Sequence, residues 1–329
     1  VFELPAELAD QITRLAGVAE RGGPGRLGAT TRRMIDRYQA DIPAVPGRPI
    51  VSDDQEALAY AVYRMPATYA AIRTVLDQLP DDAVRPHAHQ LDIAGGTGSA
   101  VWAVADRWPG IGSQTVLEQS RAAIGIGRRL AAAGAGPVRR ADWQQRVINS
   151  DVDLGTPDVI TVGYLLSEID QPLRNALISA CLAAARDLVI IVEPGTTNGY
   201  RRILTARDQV IDAGWQILAP CPHRLACPLA DQQRDWCHFS ARLNRSAVHR
   251  RAKGAELGYE DEKFSYLVAA PRAGQPTAAR VLRHPTFRKG LVELTVCQSS
   301  GRAERVAVAK RDQDHYRAAR KIEWGDRWP

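Results

Sequence analysis

The sequence predicts an α/β protein built on a largely parallel sheet, with a helical region before it and a cysteine-rich insertion within it. Three observations lead there. Apolar residues recur at helical spacing over residues 1–85, as in Leu8, Ile12 and Leu15 and again in Leu58, Val62, Met65 and Tyr69. From about residue 88, short apolar runs alternate with amphipathic stretches, the pattern of strands buried on both faces by helices. Three of the five cysteines then fall between Cys221 and Cys237, in a loop rich in proline and histidine.

Each element follows from local pattern. Gly22-Gly23-Pro24-Gly25 separates two helices, and the proline-bearing stretch Ile42 to Pro49 reads as a loop. Strands are expected at Gln90–Ile93, Gln114–Glu118, Val138–Ala141, Val159–Val162 and Leu188–Val192. Helices fit at Ser99–Arg107, Ser120–Ala133 and Pro172–Ala185. After a cysteine-rich loop over about 219–238 come strand-like Phe264–Ala269, Ala279–Arg283, Leu291–Cys297 and Arg305–Ala309. The expected organisation is 1–85 helical, 86–218 the nucleotide-binding core, 219–255 the metal loop with a basic helix, and 256–329 strands completing the sheet plus a basic tail.

Composition bounds the function. Hydrophobic residues make up 45% and charged residues 24% of the 329, as in a soluble globular protein. No apolar run is long enough to span a membrane, and the first residues do not read as a secretory signal. A cytoplasmic monomer is the expectation. The net charge of +6 is uneven: residues 237–329 hold 19 Lys and Arg against 10 Asp and Glu. A basic C-terminal third suits a polyanion such as RNA.

Leu91-Asp92-Ile93-Ala94-Gly95-Gly96-Thr97-Gly98 closes a strand and opens a helix. Glycines there let the backbone approach a ligand closely, beside the free N–H groups of a helix start. The spacing is not that of a dinucleotide fold. It resembles the first motif of class I (Rossmann-like) methyltransferases, whose loop wraps S-adenosylmethionine. On that resemblance Asp92, Ala94, Gly95, Gly96 and Gly98 line the cofactor, and Glu118, at the end of the second strand, accepts from the ribose hydroxyls. Asp142 and Trp143, taken as the end of the third strand, stand where the adenine is held, with Trp143 able to stack on it.

Cys221, Cys227 and Cys237 are spaced C-x5-C-x9-C, and Cys297 lies on a distant strand. Thiolates select zinc or iron–sulfur clusters. The wide spacing fits a cluster better, while zinc stays open as the alternative. Cys181 sits in an apolar helix and reads as core. Arg242, Arg245, Arg250, Arg251 and Lys253 form a basic segment over Arg242–Lys253, a candidate phosphate-contact helix. Its bland alternative is a solvated face.

These residues together resemble the small-ribosomal-subunit-associated methyltransferase-like proteins of bacteria and mitochondria. The resemblance rests on Tyr60 through Tyr69, Asp92 through Gly98, Val192-Glu193-Pro194-Gly195-Thr196, Cys221 through Phe239, His249 through Gly254, Gly258 through Tyr266, and Trp324-Gly325-Asp326. It runs from about residue 50 to the end. It implies small-subunit rRNA or a ribosome assembly intermediate as partner, and a 4Fe–4S cluster on Cys221, Cys227, Cys237 and Cys297. After the fourth strand the chain reads Gly163-Tyr164-Leu165-Leu166-Ser167-Glu168, without the Asn/Asp-Pro-Pro-Tyr/Phe motif of amino-methylating enzymes. Glu168 and Glu193, at strand ends, are then the candidates to orient or deprotonate a base. An S-adenosylmethionine-dependent rRNA methyltransferase is the first reading. A non-catalytic rRNA-binding assembly factor and a small-molecule methyltransferase are the alternatives.

Overall fold

The computed structural model describes every residue except 24, 40–49, 233, 273 and 275–276, and the side chains of 37–39. The expected loop from Ile42 to Pro49 lies outside the described residues. The N-terminal helices are α1 (Ala6–Gly22), α2 (Arg26–Gln39), α3 (Asp54–Tyr63) and α4 (Met65–Leu76). Asp53 caps α3 by accepting from the Glu56 N–H, and Pro66 stands at the start of α4, where no N–H is needed. α4 is buried along most of its length because it packs between α5 and the sheet.

The core then runs β1 (His89–Ile93), α5 (Ser99–Arg107), β2 (Ser113–Glu118), α6 (Arg121–Ala131), α7 (Gly136–Arg139), β3 (Asp142–Gln145), β4 (Val159–Gly163), α8 (Gln171–Ala184), β5 (Leu188–Pro194), α9 (Thr197–Asp212) and β6 (Gln216–Ala219). It continues as β7 (Phe239–Asn244), α10 (Ala247–Lys253) and β8 (Tyr259–Ala270). The sheet order is β3-β2-β1-β4-β5-β8-β6, with β7 paired to β8. The first five strands are parallel, and β8 enters antiparallel between β5 and β6. Strand order reverses between β1 and β4, which opens a crevice at their C-terminal ends. Two apolar clusters fill the two faces of this sheet.

Two expectations are corrected here. Val138–Ala141 is not a strand. Pro137 starts the short helix α7, and the third strand begins only at Asp142. The C-terminal segments also do not complete the main sheet, except for β8. β9 (Ala279–Val281), β10 (Thr286–Arg288), β11 (Leu291–Gln298), β12 (Ala303–Ala309) and, after α11 (Gln313–Ala319), β13 (Arg327–Trp328) build a separate five-stranded sheet with its own apolar core. β8 is already flanked by β5 on one side and by β6 and β7 on the other, so it leaves no edge for them.

The shift of β3 changes the role of Trp143. Its ring is buried and fills the space left by the missing side chains of Gly98 and Gly127. It therefore packs the start of α5 against the middle of α6 and presents no open stacking face. Asp142 is exposed and accepts from the Gln144 amide at 2.7 Å. Trp143→Ala should cost about 3–5 kcal/mol of stability, as expected of a buried aromatic. Asp142→Ala should stay within about 0.5 kcal/mol of the parent. Urea unfolding of both variants checks this, and equal losses would show that Trp143 is not a core residue.

Candidate functional site

The loop after β1 runs through two glycines with left-handed backbone, Gly96 at φ +57 and Gly98 at φ +93, and Ala94 at φ +54. A Cβ at Gly95 would collide with Asp92 Oδ2, so only glycine lets the chain fold back over this carboxylate. Asp92 itself is 2% exposed. Its Oδ1 accepts from Thr161 Oγ1 at 2.7 Å, and its Oδ2 has no partner. Burial, opposed by the Thr161 hydroxyl and reinforced by Glu118, pushes the Asp92 carboxyl up to about 7. Across the loop, Glu118 accepts from the N–H of Gly96 at 2.9 Å and of Ser120 at 2.8 Å. Asp92, Ala94, Gly95, Gly96, Gly98 and Glu118 are thus brought together. Asp142 and Trp143 are not part of the cradle. The residue beside Glu118 at the end of the third strand is Gln145, which sequence reasoning missed because it placed that strand too early.

The second wall of the crevice is the turn after β4. Tyr164 has φ +62, a strained value for a residue with a side chain. Its hydroxyl donates to Glu262 Oε1 at 2.8 Å, and Arg64 bonds Glu262 Oε2 at 2.8 Å while lying 4.6 Å from the centre of the Tyr164 ring. This Arg64–Tyr164–Glu262 group was invisible as a unit in sequence, since its members lie 98 and 198 residues apart. The sole signal was that Arg64 and Glu262 stand in two of the stretches that carry the family resemblance. Glu168, on the same turn, is pushed up to about 8 by burial and by Glu118 and Glu193. A carboxyl in that range can exchange a proton near neutral pH. Glu193 behaves differently. It is 0% exposed, its Oε1 accepts from the Leu166 N–H at 3.0 Å and its Oε2 from Arg202 at 2.6 Å. Both of its oxygens are thus engaged within the fold. It positions the 164–168 turn.

Cys221, Cys227, Cys237 and Cys297 line one cavity between α9, the 220–238 loop and the second sheet. Cys221, Cys237 and Cys297 are each pushed up by burial and next, in part, by neighbouring thiols of the same set. Cys181, pushed up to about 12 by burial alone, sits apart in the main core. Tyr200 and His223 reach two of the sulfurs, Cys227 at 3.2 Å and Cys297 at 3.3 Å. His238 instead bonds the Trp236 carbonyl. Two arginines line the same cavity, Arg207 at 3% and Arg280 at 1% exposure. Arg280 bonds the carbonyls of Pro220 and Gly325 and the side chain of Gln78. Arg207 bonds the carbonyls of His223 and Leu225, and its nearest carboxylate is exposed Asp208 at 3.7 Å. Arg207 Nε, Arg280 Nη2 and His223 Nδ1 are buried without partners. Among the described residues no group of three or more His, Cys, Asp or Glu is gathered to hold a metal ion, so neither the cluster nor its zinc alternative is shown here.

The basic segment is not one helix. Arg242 ends up on β7, Arg245 between β7 and α10, and the rest on α10. Arg242 pairs with Asp261 through two bonds of 2.7 Å and lies over Tyr259. Arg245 and Lys253 share Glu260 at 2.6 and 2.5 Å. Three of the five cations are therefore matched internally, which leaves Arg250 and Arg251 exposed to solvent.

The sequence model of the family described as mitochondrial small ribosomal subunit Rsm22 matches residues 54–329. Two curated relatives from fission yeast (Schizosaccharomyces pombe), Rsm22-cox11 tandem proteins 1 and 2, mitochondrial, are each 25% identical over 331 residues, covering 84% of this chain and 43% of their own length. The chain thus spans less than half the length of these relatives. Among solved structures, magnesium protoporphyrin IX methyltransferase from Synechocystis PCC 6803 is 14% identical, covering 72% of this chain and 91% of its own, with a TM-score of 0.42. The precorrin-6y methyltransferase of Geobacter metallireducens is 14% identical, covering 61% and 86%, with a TM-score of 0.40. The cytoplasmic placement expected from the sequence is overturned, because the family and both yeast relatives are described as mitochondrial. No helix among the described residues is long and apolar enough to cross a membrane. With a parallel sheet reversed at β1/β4 and an antiparallel strand set between its last two, the chain has a Rossmann-like methyltransferase fold, and it belongs to the Rsm22 family.

Proposed function

We propose that this protein binds S-adenosylmethionine at the loop after β1 and acts on, or holds, small-subunit rRNA during ribosome assembly. The observation that carries the reading is the unpartnered Oδ2 of buried Asp92, under a loop whose glycine leaves room for it. A buried carboxylate oxygen with no donor is costly unless a ligand supplies one. Asp92 would take the donor groups of the methionine part and Glu118 those of the ribose, with Gln145 beside it toward the base. When bound, the cofactor supplies an electrophilic methyl group. Glu168 is placed to accept a proton from the target base, while Glu193 and the Arg64–Tyr164–Glu262 group hold the turn that presents it. The RNA half of the reading rests on the family and on exposed Arg250 and Arg251. A non-catalytic assembly role keeps every one of these binding groups and omits only the transfer.

The cysteine cavity supports a 4Fe–4S cluster on Cys221, Cys227, Cys237 and Cys297. Four soft donors line one cavity, the ligand type that such a cluster takes. Buried Arg207 and Arg280 leave N–H groups free in the same cavity, which suits an anionic cluster whose sulfurs accept hydrogen bonds.

Calorimetry should show S-adenosylmethionine binding to the parent, weakened about tenfold or more in Glu118→Gln by loss of a charged acceptor. No binding to a folded parent would refute the cofactor assignment. Asp92, Glu168 and Glu193 also predict a pH effect. Unfolded, these carboxyls release protons near their ordinary values of 3.8 and 4.5; folded, they hold them to about 7, 8 and 7. Between those values the folded state binds more protons, so stability without cofactor falls as pH rises from about 4 to about 8. Asp92→Asn should be more stable than the parent at about pH 8, by a margin that shrinks toward about pH 5. Urea midpoints at both pH values measure this, and a margin independent of pH would refute the charge argument. In protein purified without oxygen, replacing any of the four cavity cysteines by Ser should abolish iron and sulfide, because loading and folding are coupled. Cys181→Ser should retain both. Iron retained in Cys297→Ser would remove the second sheet from the ligand set.

A further inference from the structure

A polar groove lies between α8 and α9 at the C-terminal edge of the sheet, separate from the glycine loop and the cysteine cavity. Its walls include Arg174, Arg201, Arg202, Asn198, Thr205 and Leu166. Both helices follow parallel strands, so both start at this edge with their positive dipole ends toward it. In α8, Pro172 has no N–H and Asp170 accepts from the Leu173 N–H. In α9, Thr196 accepts from the Gly199 N–H, which leaves the N–H groups of Thr197 and Asn198. Neither carries an acidic residue in its first turn. α8 carries Arg174 there instead, where a cation opposes the dipole. Of the three guanidiniums, only that of Arg202 is matched, by Glu193 at 2.6 Å. Arg174 donates to the Ile169 carbonyl at 2.9 Å, and nearby Asp170 is occupied in capping α8. Arg201 is exposed and makes no side-chain hydrogen bond or ion pair among the described residues. Burial first and then Arg202 hold the Arg174 guanidinium below its ordinary value, against the opposing pull of Glu193 and Asp170.

We propose that this groove binds a backbone phosphate of the RNA, with Arg174 and Arg201 as its ligands and Asn198 at the start of α9 beside them. This rests on the RNA reading above and names the place on the protein. The start of α9 and two guanidiniums that no carboxylate bonds give a phosphate its donors. A free phosphate would meet the same chemistry. The RNA is favoured because Leu166, on the groove wall, belongs to the turn that carries Glu168. A strand anchored here therefore lies next to the crevice where a base would be presented.

Anisotropy of a fluorescently labelled small-subunit rRNA hairpin, titrated with the full chain at several salt concentrations, tests the proposal. The double variant Arg174→Gln, Arg201→Gln should bind about tenfold or more weakly, with the salt slope flatter by roughly one to two units. Arg201→Gln alone touches no internal partner and should flatten the slope by roughly one unit, so a folding defect in the double variant does not decide the matter. Parent-like affinity and slope in both variants would overturn the groove and leave the RNA reading standing. A parent that binds no RNA at all would overturn that reading and this one together. Inorganic phosphate should displace the RNA no better than chloride at equal ionic strength. Saturable displacement by phosphate would reassign the groove to a free anion and overturn the proposal.

Discussion

Burial of charge without a partner of opposite sign is the constraint around which this molecule is arranged. Removing an ionised group from water costs several kcal/mol unless something in the fold or a ligand compensates it. Two regions leave that compensation incomplete, with opposite signs. At the crevice, burial and then the Glu118 carboxylate raise the proton affinity of Asp92 and of Glu168. At the cysteine cavity, Arg207 and Arg280 are enclosed with carbonyls and thiols and no buried carboxylate. The first region suits a cationic or donor-rich ligand and the second an anionic one.

The same electrostatics joins the two halves of the chain. Arg280 lies on β9 of the second sheet, yet it bonds Pro220 before the cysteine loop, Gln78 after α4 and Gly325 near the end. Cys297 reaches the cavity from β11, the central strand of that sheet. The apolar contacts at this junction are few, chiefly Tyr200, Leu229 and Leu282 around Cys297. Trp324 and Gly325 add to this junction by packing on the main core and on Phe239.

How far the sequence could be read follows from the range of each signal. Strands β1, β2, β4 and β5 and helices α5, α6 and α8 were legible because each is a short apolar run or stripe bounded by local stop signals. The glycine loop was legible for the same reason, with its carboxylate three residues away. The third strand was misplaced because Val138 looks like a strand residue and the effect of Pro137 on the next turn was given too little weight. The second sheet was missed because alternation shows that a segment is a strand but not which sheet it joins. The basic segment was over-read for a related reason. Counting cations over Arg242–Lys253 omits the acidic run Glu260-Asp261-Glu262, and β7 pairs with that run residue by residue. The pairing lays Asp261 against Arg242 and brings Glu260 to Arg245 and Lys253.

Net charge along the chain is therefore a poor map of where a polyanion would sit. The C-terminal third owns the excess of Lys and Arg, but its best-placed cations are consumed by β8. The core has no such excess, yet it places Arg174 and Arg201 unmatched at two helix starts. The link to the chemistry is Glu193. One of its oxygens fixes the turn that bears Glu168, through the Leu166 N–H, and the other holds Arg202 at the groove. Glu193 thereby ties the groove wall to that turn through one buried side chain.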